Sequence, residues 1–356
     1  MKTLRLMIPA ALLLLAIAVG ARAEEPQGPY VFKSSVRINT RKFLVYYPTP
    51  TAKEPQYQTN SWAPRFEFNI LGPLEGGSQI SVSFTKPDGT KWISQNLTTP
   101  ETDAENFARF TSDALDLEKQ AILQTGTAGM TITLSNALTK TSKTLFTGKF
   151  EVGKFRYSTA DPNSKNPYEY YVNHDWELPI GQLAFDSQID SEAPHLRIHL
   201  WFRGKVSEQD MAGYLYYKGK QIASTKTAGG VKEMINVDTG ISQPDTRWGR
   251  CTFFLDGVAE ARKGMSANNY PTMFFLDKNP GEYELKVLRD GKLARSTKFT
   301  IGADGKLVDN GLAAKNAMGF GVILLPVSVE PGVDPKADIS KYKSQAYYGN
   351  PVVGFP

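Results

Sequence analysis

Hydrophobic and polar residues alternate along several short stretches of this chain, and a period of two residues predicts β-strands. In residues 79–85 the apolar side chains fall on one face and the hydroxyl-bearing ones on the other. Residues 130–134 and 283–287 alternate in the same way. Asp88-Gly89 and Asp290-Gly291 separate such stretches, and both pairs favour tight hairpin turns because Asp and Gly tolerate positive φ angles. The pattern therefore predicts a mainly β protein.

Two other stretches each recur once, in the same order along the chain, which predicts two copies of one β-rich unit. The sequence APRFEFNI at 63–70 is echoed by APHLRIHL at 193–200, and KFEVG at 149–153 is echoed by KFTIG at 298–302. The apolar residues of both copies are expected to point into a core: Phe66, Phe68 and Ile70 in the first, and Leu196, Ile198 and Leu200 in the second.

The segment between Thr102 and Leu123 has a different period. Its apolar residues recur every three or four positions, as on one side of a helix; they are Phe107, Phe110, Ala114, Leu117 and Ala121. Thr102 and Glu105 have the spacing of a capping box. This pattern predicts a short helical insert in the first copy.

Residues 279–287 (NPGEYELKV), followed by the Asp290-Gly291 turn and a strand to Ile301, resemble the last hairpin of an immunoglobulin-like sandwich. In that fold a tyrosine after a tight corner ties its hydroxyl to nearby backbone. Tyr283 stands at this position. The resemblance implies two immunoglobulin-like β-sandwich domains and no particular activity.

Residues 1–23 have the features of a secretory signal peptide: Lys2 and Arg5, an apolar core, and a small-residue cleavage site at Ala21 and Ala23. The apolar run is shorter than the roughly 20 residues that span a bilayer, which disfavours an uncleaved anchor. We therefore expect an exported protein, periplasmic, cell-surface or extracellular, without a transmembrane segment after cleavage. Three of the 41 basic residues lie in this leader, so the remainder nearly balances the 36 acidic residues. This balance gives no support to nucleic-acid binding.

The sequence divides into five parts: a signal peptide (1–23), a first β-sandwich domain (24–156), a linker and interface segment (157–183), a second β-sandwich domain (184–310) and a Pro/Gly-rich C-terminal tail (311–356). The interface segment is rich in aromatic residues, and we expect it to lie between the two copies; they are Tyr168, Tyr170, Tyr171 and Trp176. The tail has enough aromatic residues to dock; they are Tyr342, Tyr347, Tyr348 and Phe355.

Candidate nucleophilic and metal-binding residues are few. His174-Asp175 could form part of a catalytic triad, but no serine lies in a nucleophile-elbow motif. The single cysteine, Cys251, is interpreted as a buried thiol rather than a nucleophile, because free cysteines are usually buried. His195 and His199 stand about 13 Å apart along a strand, too far to share one ion. Both are expected to be exposed.

Three acidic residues and two aromatic residues allow alternative interpretations. Asp186, Asp190 and Glu192 could bind calcium, but solvated loop charges are the preferred interpretation because the spacing lacks a calcium-loop pattern. Trp201 and Tyr217 could contact a sugar or a protein partner, or cover the interface between the two copies. We favour the interface.

These observations favour an exported, non-enzymatic protein with a structural, adhesive or binding role, acting through its sandwich surfaces on a protein or glycan partner. The alternative is an accessory module or subunit of a cell-envelope enzyme or assembly. An enzyme of unrecognised type comes third. The sequence assigns no catalytic, metal-binding or cofactor-binding residue, and it does not specify the binding residues or the oligomeric state.

Overall fold

The computed structural model describes residues 28–47, 56–98, 107–156, 167–185, 195–226, 231–236, 247–259, 268, 271–319 and 322–356. The predicted signal peptide with Ala21 and Ala23, the capping pair and the acidic residues Asp186, Asp190 and Glu192 lie outside these residues. The described chain consists mainly of β-strands, as the alternating pattern predicts.

The N-terminal half contains strands β1 to β9 in two antiparallel sheets. One sheet has the order β1-β3-β2, with β6 also paired to β3, and the other has the order β5-β4-β7-β8-β9. Their bounds are Tyr30–Val31 (β1), Arg37–Tyr47 (β2), Gln56–Leu71 (β3), Ser78–Thr85 (β4), Lys91–Leu97 (β5), Phe107–Thr111 (β6), Gly126–Asn136 (β7), Thr141–Arg156 (β8) and Tyr168–Val172 (β9).

The C-terminal half contains β10 to β19. The rows β13-β12-β17-β18 and β10-β11-β15-β14 are joined by β19, which pairs with β10 through its first residues and with β18 through its last. Their bounds are Ile180–Phe185 (β10), His195–Arg203 (β11), Met211–Tyr217 (β12), Lys220–Ser224 (β13), Val231–Asn236 (β14), Trp248–Ala259 (β15), Phe274–Phe275 (β16, beside β15), Gly281–Arg289 (β17), Lys292–Ile301 (β18) and Ile323–Val329 (β19).

The main strands of the two halves pair in the same order. β3 lies between β2 and β6, as β11 lies between β10 and β15, and the row β5-β4-β7-β8 matches the row β13-β12-β17-β18. The inward orientation predicted from the repeated motifs is confirmed. Phe66, Phe68 and Ile70 are buried in the first core, and Leu196, Ile198 and Leu200 are buried in the second.

The two predicted hairpin turns are confirmed. Gly89, between β4 and β5, has a φ of 83°. Asp290 and Gly291, between β17 and β18, have φ angles of 50° and 75°, the left-handed pair that a two-residue hairpin requires.

The predicted helical insert is wrong for the part of it that the structure describes. Residues 107–111 form β6, in which Phe110 stands opposite Phe68 with the two rings stacked at 5.3 Å. A short 3₁₀ turn follows at Glu118–Gln120. Alternate residues of β6 are buried, so its apolar pattern has the period of a strand.

The C-terminal segment, residues 311–356, packs against both halves. It contains α1 (Leu312–Lys315), β19, a 3₁₀ turn at Ile339–Lys341 and α2 (Tyr342–Gly349). Tyr347 and Tyr348 are buried in the first core, so the predicted docking of the aromatic tail is confirmed. Among the described residues, no helix combines the length and the apolar character needed to cross a membrane.

Candidate functional site

A 3₁₀ turn at Asp175–Glu177 connects β9 to β10, and all three of its residues are buried. The Asp175 carboxylate accepts hydrogen bonds from Arg203 Nη1 (2.8 and 3.1 Å), Trp248 Nε1 (2.9 Å) and the Asp338 backbone N–H (3.0 Å). Burial raises the pKa of Asp175, while Arg203 and the hydrogen bonds oppose that shift. This carboxylate joins the turn to β11, β15 and the C-terminal segment.

A second buried carboxylate, Asp334, joins the C-terminal segment to β17 and β18. It accepts hydrogen bonds from Arg289 Nη1, at 2.9 Å, and from Arg295 Nη2. The Arg295 guanidinium lies over the Phe202 ring, 4.4 Å from its centroid, and its burial lowers its pKa. We call the residues Asp175, Arg203, Arg289, Arg295 and Asp334 the junction cluster.

His174 and Asp175 do not form a catalytic pair. His174 Nε2 lies 3.2 Å from Asn39 Oδ1, and its Nδ1 lies 3.4 Å from Glu177 Oε1. The Asp175 carboxylate is directed to Arg203 and Trp248. The histidine therefore has Asn39 and Glu177 as its polar neighbours, and Asp175 anchors a different set of residues.

Cys251 is a buried thiol in the second core, as predicted. Burial raises its pKa to about 12, so the thiol stays protonated at neutral pH. Because the thiolate is the nucleophilic form, this environment suppresses its reactivity.

His199 is half-buried, which corrects the prediction that it is exposed. Its Nδ1 lies 2.8 Å from the hydroxyl of the fully buried Thr252. Burial, together with the charges of Arg250 and Arg197, lowers its pKa to about 4, so it is neutral at neutral pH. The side chain of His195 lies outside the described part of the structure.

Trp201 covers the junction between the two halves, as favoured above. It is 3% exposed and packs with Leu178 and Trp248, and the Arg37 guanidinium lies 5.4 Å from its ring centroid. The aromatic interface segment contributes there as well, since the Tyr171 ring lies 5.7 Å from that of Trp248.

Tyr217 has a different position from Trp201. It stacks on Tyr283 within the C-terminal half, at 4.8 Å between ring centroids, and its hydroxyl donates to the Pro280 carbonyl. The Tyr283 hydroxyl donates to the Asn279 carbonyl at 2.6 Å, the local bond expected of a tyrosine corner. The preference for the interface is therefore wrong for Tyr217.

An open groove of about 430 Å³ lies where the C-terminal segment crosses β17, β18 and β19. Tyr342 and Phe355 line it, with their rings in contact at 5.4 Å and inclined by 52°. Apart from Val327, its other lining residues are hydroxyl-bearing, charged and proline side chains, among them Ser296, Ser328, Glu284, Lys298 and Pro326. We call this feature the groove.

The groove continues into the outward face of the row β12-β17-β18-β19, which we call the outer face. In strand register, Tyr214, Lys286, Ser296 and Ser328 form one line across all four strands. Tyr216, Glu284 and Lys298 form a parallel line beside it. Each of these residues is exposed or half-buried, whereas the intervening residues of β17 and β18 are largely buried in the second core.

The charges of the outer face are paired. Lys286 Nζ lies 3.3 Å from Glu284 Oε2 and 5.1 Å from the Tyr216 ring centroid. Lys298 Nζ donates to Glu282 Oε1 at 2.8 Å. The face therefore presents aromatic, hydroxyl and ion-paired groups, with no excess of one charge.

Sequence reasoning did not identify the groove or the junction cluster. The alternation in 283–287 predicts that Glu284 and Lys286 point outward, but the pairing of β17 with β12 and β18 is not visible in it. Among the described residues, no group of three or more His, Cys, Asp or Glu side chains could hold a metal ion.

No known protein-family model matches this chain, and no curated protein sequence matches it significantly.

Proposed function

We propose that this protein is an exported, non-enzymatic binding protein, built from two immunoglobulin-like β-sandwich domains, that holds a partner in the groove and on the outer face. The same pairing order in both halves and the Tyr283 hydrogen bond support the immunoglobulin-like domains. The leader at 1–23 supports export.

The observation that carries the binding role is the groove and its mixed aromatic and hydroxyl lining. Recognition sites typically combine apolar contact area with a few polar groups that fix the orientation of the ligand. Tyr342 follows a 3₁₀ turn whose preceding residue, Asp338, is held by Asp175 through its backbone N–H. The aromatic wall is therefore positioned before a partner arrives, which reduces the entropy lost on binding.

Binding to the envelope fraction of the producing cell tests this proposal. The variants Tyr342→Ala and Phe355→Ala should weaken retention of the mature protein while leaving the fold intact, as judged by the thermal unfolding temperature. Tyr168→Ala is the matched control, because Tyr168 is a half-buried aromatic residue on β9 whose ring contacts Lys154 at 4.6 Å. Equal retention of all variants would exclude the groove as the binding site.

Export is tested separately by the intact mass of the protein recovered outside the cytoplasm. Cleavage after Ala23 leaves Glu24 as the first residue. A mass corresponding to the full chain, or to an acylated species, would contradict this.

A further inference from the structure

The outer face carries aromatic rings at both of its ends. Tyr214 and Tyr216 lie on β12, and Tyr342 and Phe355 lie at the groove beside β19. Three strand spacings separate β12 from β19, about 14 Å. An extended ligand lying across the strands would therefore meet an aromatic platform at each end.

The part of the face between these platforms carries hydroxyl groups. Ser296 and Ser328 stand directly opposite each other in register, and neither hydroxyl makes a hydrogen bond within the described part of the chain. A sugar ring has an apolar C–H face and a rim of hydroxyls. Aromatic rings and hydroxyl-bearing side chains match these two parts.

Charge argues against a polyanionic ligand. Glu284 is paired with Lys286, and Lys298 is paired with Glu282. Nucleic acids and anionic polysaccharides are attracted by an excess of basic groups, and the outer face has none. The face suits an uncharged ligand.

Strand position argues against an extended peptide. Peptides commonly add to a sheet through the free backbone groups of an edge strand. β17 lies between β12 and β18, and β18 lies between β17 and β19, so the face offers side chains rather than free backbone.

We infer that the outer face and the groove together bind a neutral saccharide chain several sugar units long. The chain runs across the strands from Tyr342 and Phe355 to Tyr214 and Tyr216, with Ser296 and Ser328 hydrogen-bonded to its hydroxyls. This inference rests on the proposed function and specifies the class of ligand at the same site.

The test uses the mature full-length protein on immobilised cellulose, xylan, mannan and starch, with heparin as the anionic comparison. Binding to at least one neutral polysaccharide is expected, and raising the salt concentration should leave it unchanged because no charged contact contributes. Failure to bind any of the four, or binding to heparin alone with loss in salt, would overturn the inference.

Variants locate the site. Tyr342→Ala and Tyr214→Ala should each weaken binding by about tenfold or more, as loss of a central aromatic contact does. Ser296→Ala should weaken it less. Tyr168→Ala lies off the site and should bind normally. Normal binding by Tyr214→Ala, a variant that does not involve the C-terminal segment, would overturn the proposed path.

The two proposals fail in different ways. If the groove variants lose envelope retention while no neutral polysaccharide binds, the proposed function stands and the saccharide inference fails. If envelope retention is unaffected by every groove variant, the site itself is wrong.

Discussion

The Tyr348 hydroxyl accepts a hydrogen bond from the backbone N–H of Ile38 at 2.9 Å, inside the first core. Both residues are buried. Tyr348 has a φ of 60°, in a left-handed region that is unfavourable for a residue with a side chain. Asn350 Nδ2 donates to the Tyr347 carbonyl and helps to hold this conformation.

Tyr348→Phe should lower the free energy of unfolding by about 1–3 kcal/mol, because the Ile38 N–H would stay buried without an acceptor. Tyr342→Phe is the matched control, since the Tyr342 hydroxyl makes no hydrogen bond within the described residues. It should change stability by less than about 0.5 kcal/mol. Urea denaturation measures both, and equal effects would show that the Ile38 hydrogen bond contributes nothing.

At the scale of single residues, the sequence predicts the burial of a side chain well when that burial follows from alternation along its own strand. The alternation places Phe66 and Ile198 inward, and both are buried. His199 differs, because its environment is set by Thr252 opposite it on β15 and by the nearby charges of Arg197 and Arg250. Cross-strand neighbours are not visible in a local pattern.

At the scale of elements, the predicted helical insert is wrong for the same reason: strand pairing is not visible in a local pattern. Residues 107–111 fit a helical period, but pairing with β3 fixes them as a strand, and the rings of Phe68 and Phe110 stack across that pair. The apolar spacing over 107–121 fits a helix, but it carries no information about pairing with β3, which lies far away in the chain. The hairpins were predicted because their turn residues lie next to each other in the sequence.

The short helix α2 is fastened to β8 by Glu151. The Glu151 carboxylate accepts hydrogen bonds from Lys341 Nζ, at 2.8 Å, and Gln345 Nε2, at 3.3 Å. Burial raises the pKa of Glu151, but the hydrogen bonds to Lys341 and Gln345 and the Lys341 charge outweigh it, so the pKa is lower than usual. Because the pKa of Glu151 is lower in the folded than in the unfolded protein, this contact stabilises the fold at pH values above the ordinary pKa of a glutamate. The stabilisation is lost as the pH falls through the pKa of Glu151 in the folded protein.

Glu151→Gln should therefore cost stability near neutral pH and none in acid. A difference of about 0.2–1 kcal/mol is expected at pH 7, the range of a partly exposed ion pair. It should shrink as the pH falls below about 4.5. Urea denaturation at several pH values measures it, with Glu75→Gln on an exposed loop as the control. If the stability difference between Glu151→Gln and the parent grew in acid, the pKa of Glu151 would not be lowered in the folded protein.

Across the whole molecule, Asp334 joins the C-terminal segment to two strands of the second half. Its carboxylate is paired with two buried guanidinium groups, those of Arg289 and Arg295. The sequence gives no signal for this arrangement, because the partners lie 45 and 39 residues away in the chain. The two copies of the β-rich unit could be recognised because their sequences resemble each other, whereas the partners in an ion pair share no sequence pattern.

Asp334→Asn should destabilise the protein by about 3–5 kcal/mol, because it leaves buried positive charge without a carboxylate. Asp113→Asn is the matched control, since Asp113 pairs with Arg65 on the surface, where both side chains are more than half exposed. It should cost less than about 1 kcal/mol. Comparable losses in thermal or chemical unfolding would show that the junction cluster does not hold the molecule together.

The hydrogen bond between Ile38 and Tyr348 joins residues 310 positions apart. During synthesis the N-terminal residues leave the ribosome long before Tyr348 is added to the chain. The first core cannot be completed before then, because Tyr347, Tyr348 and Val352 are part of it. β19 imposes the same order on the second core, whose two rows of strands it joins. Such distant contacts slow folding, so the first core stays incomplete, with apolar surface open to chaperones, until Tyr347, Tyr348 and Val352 have been made.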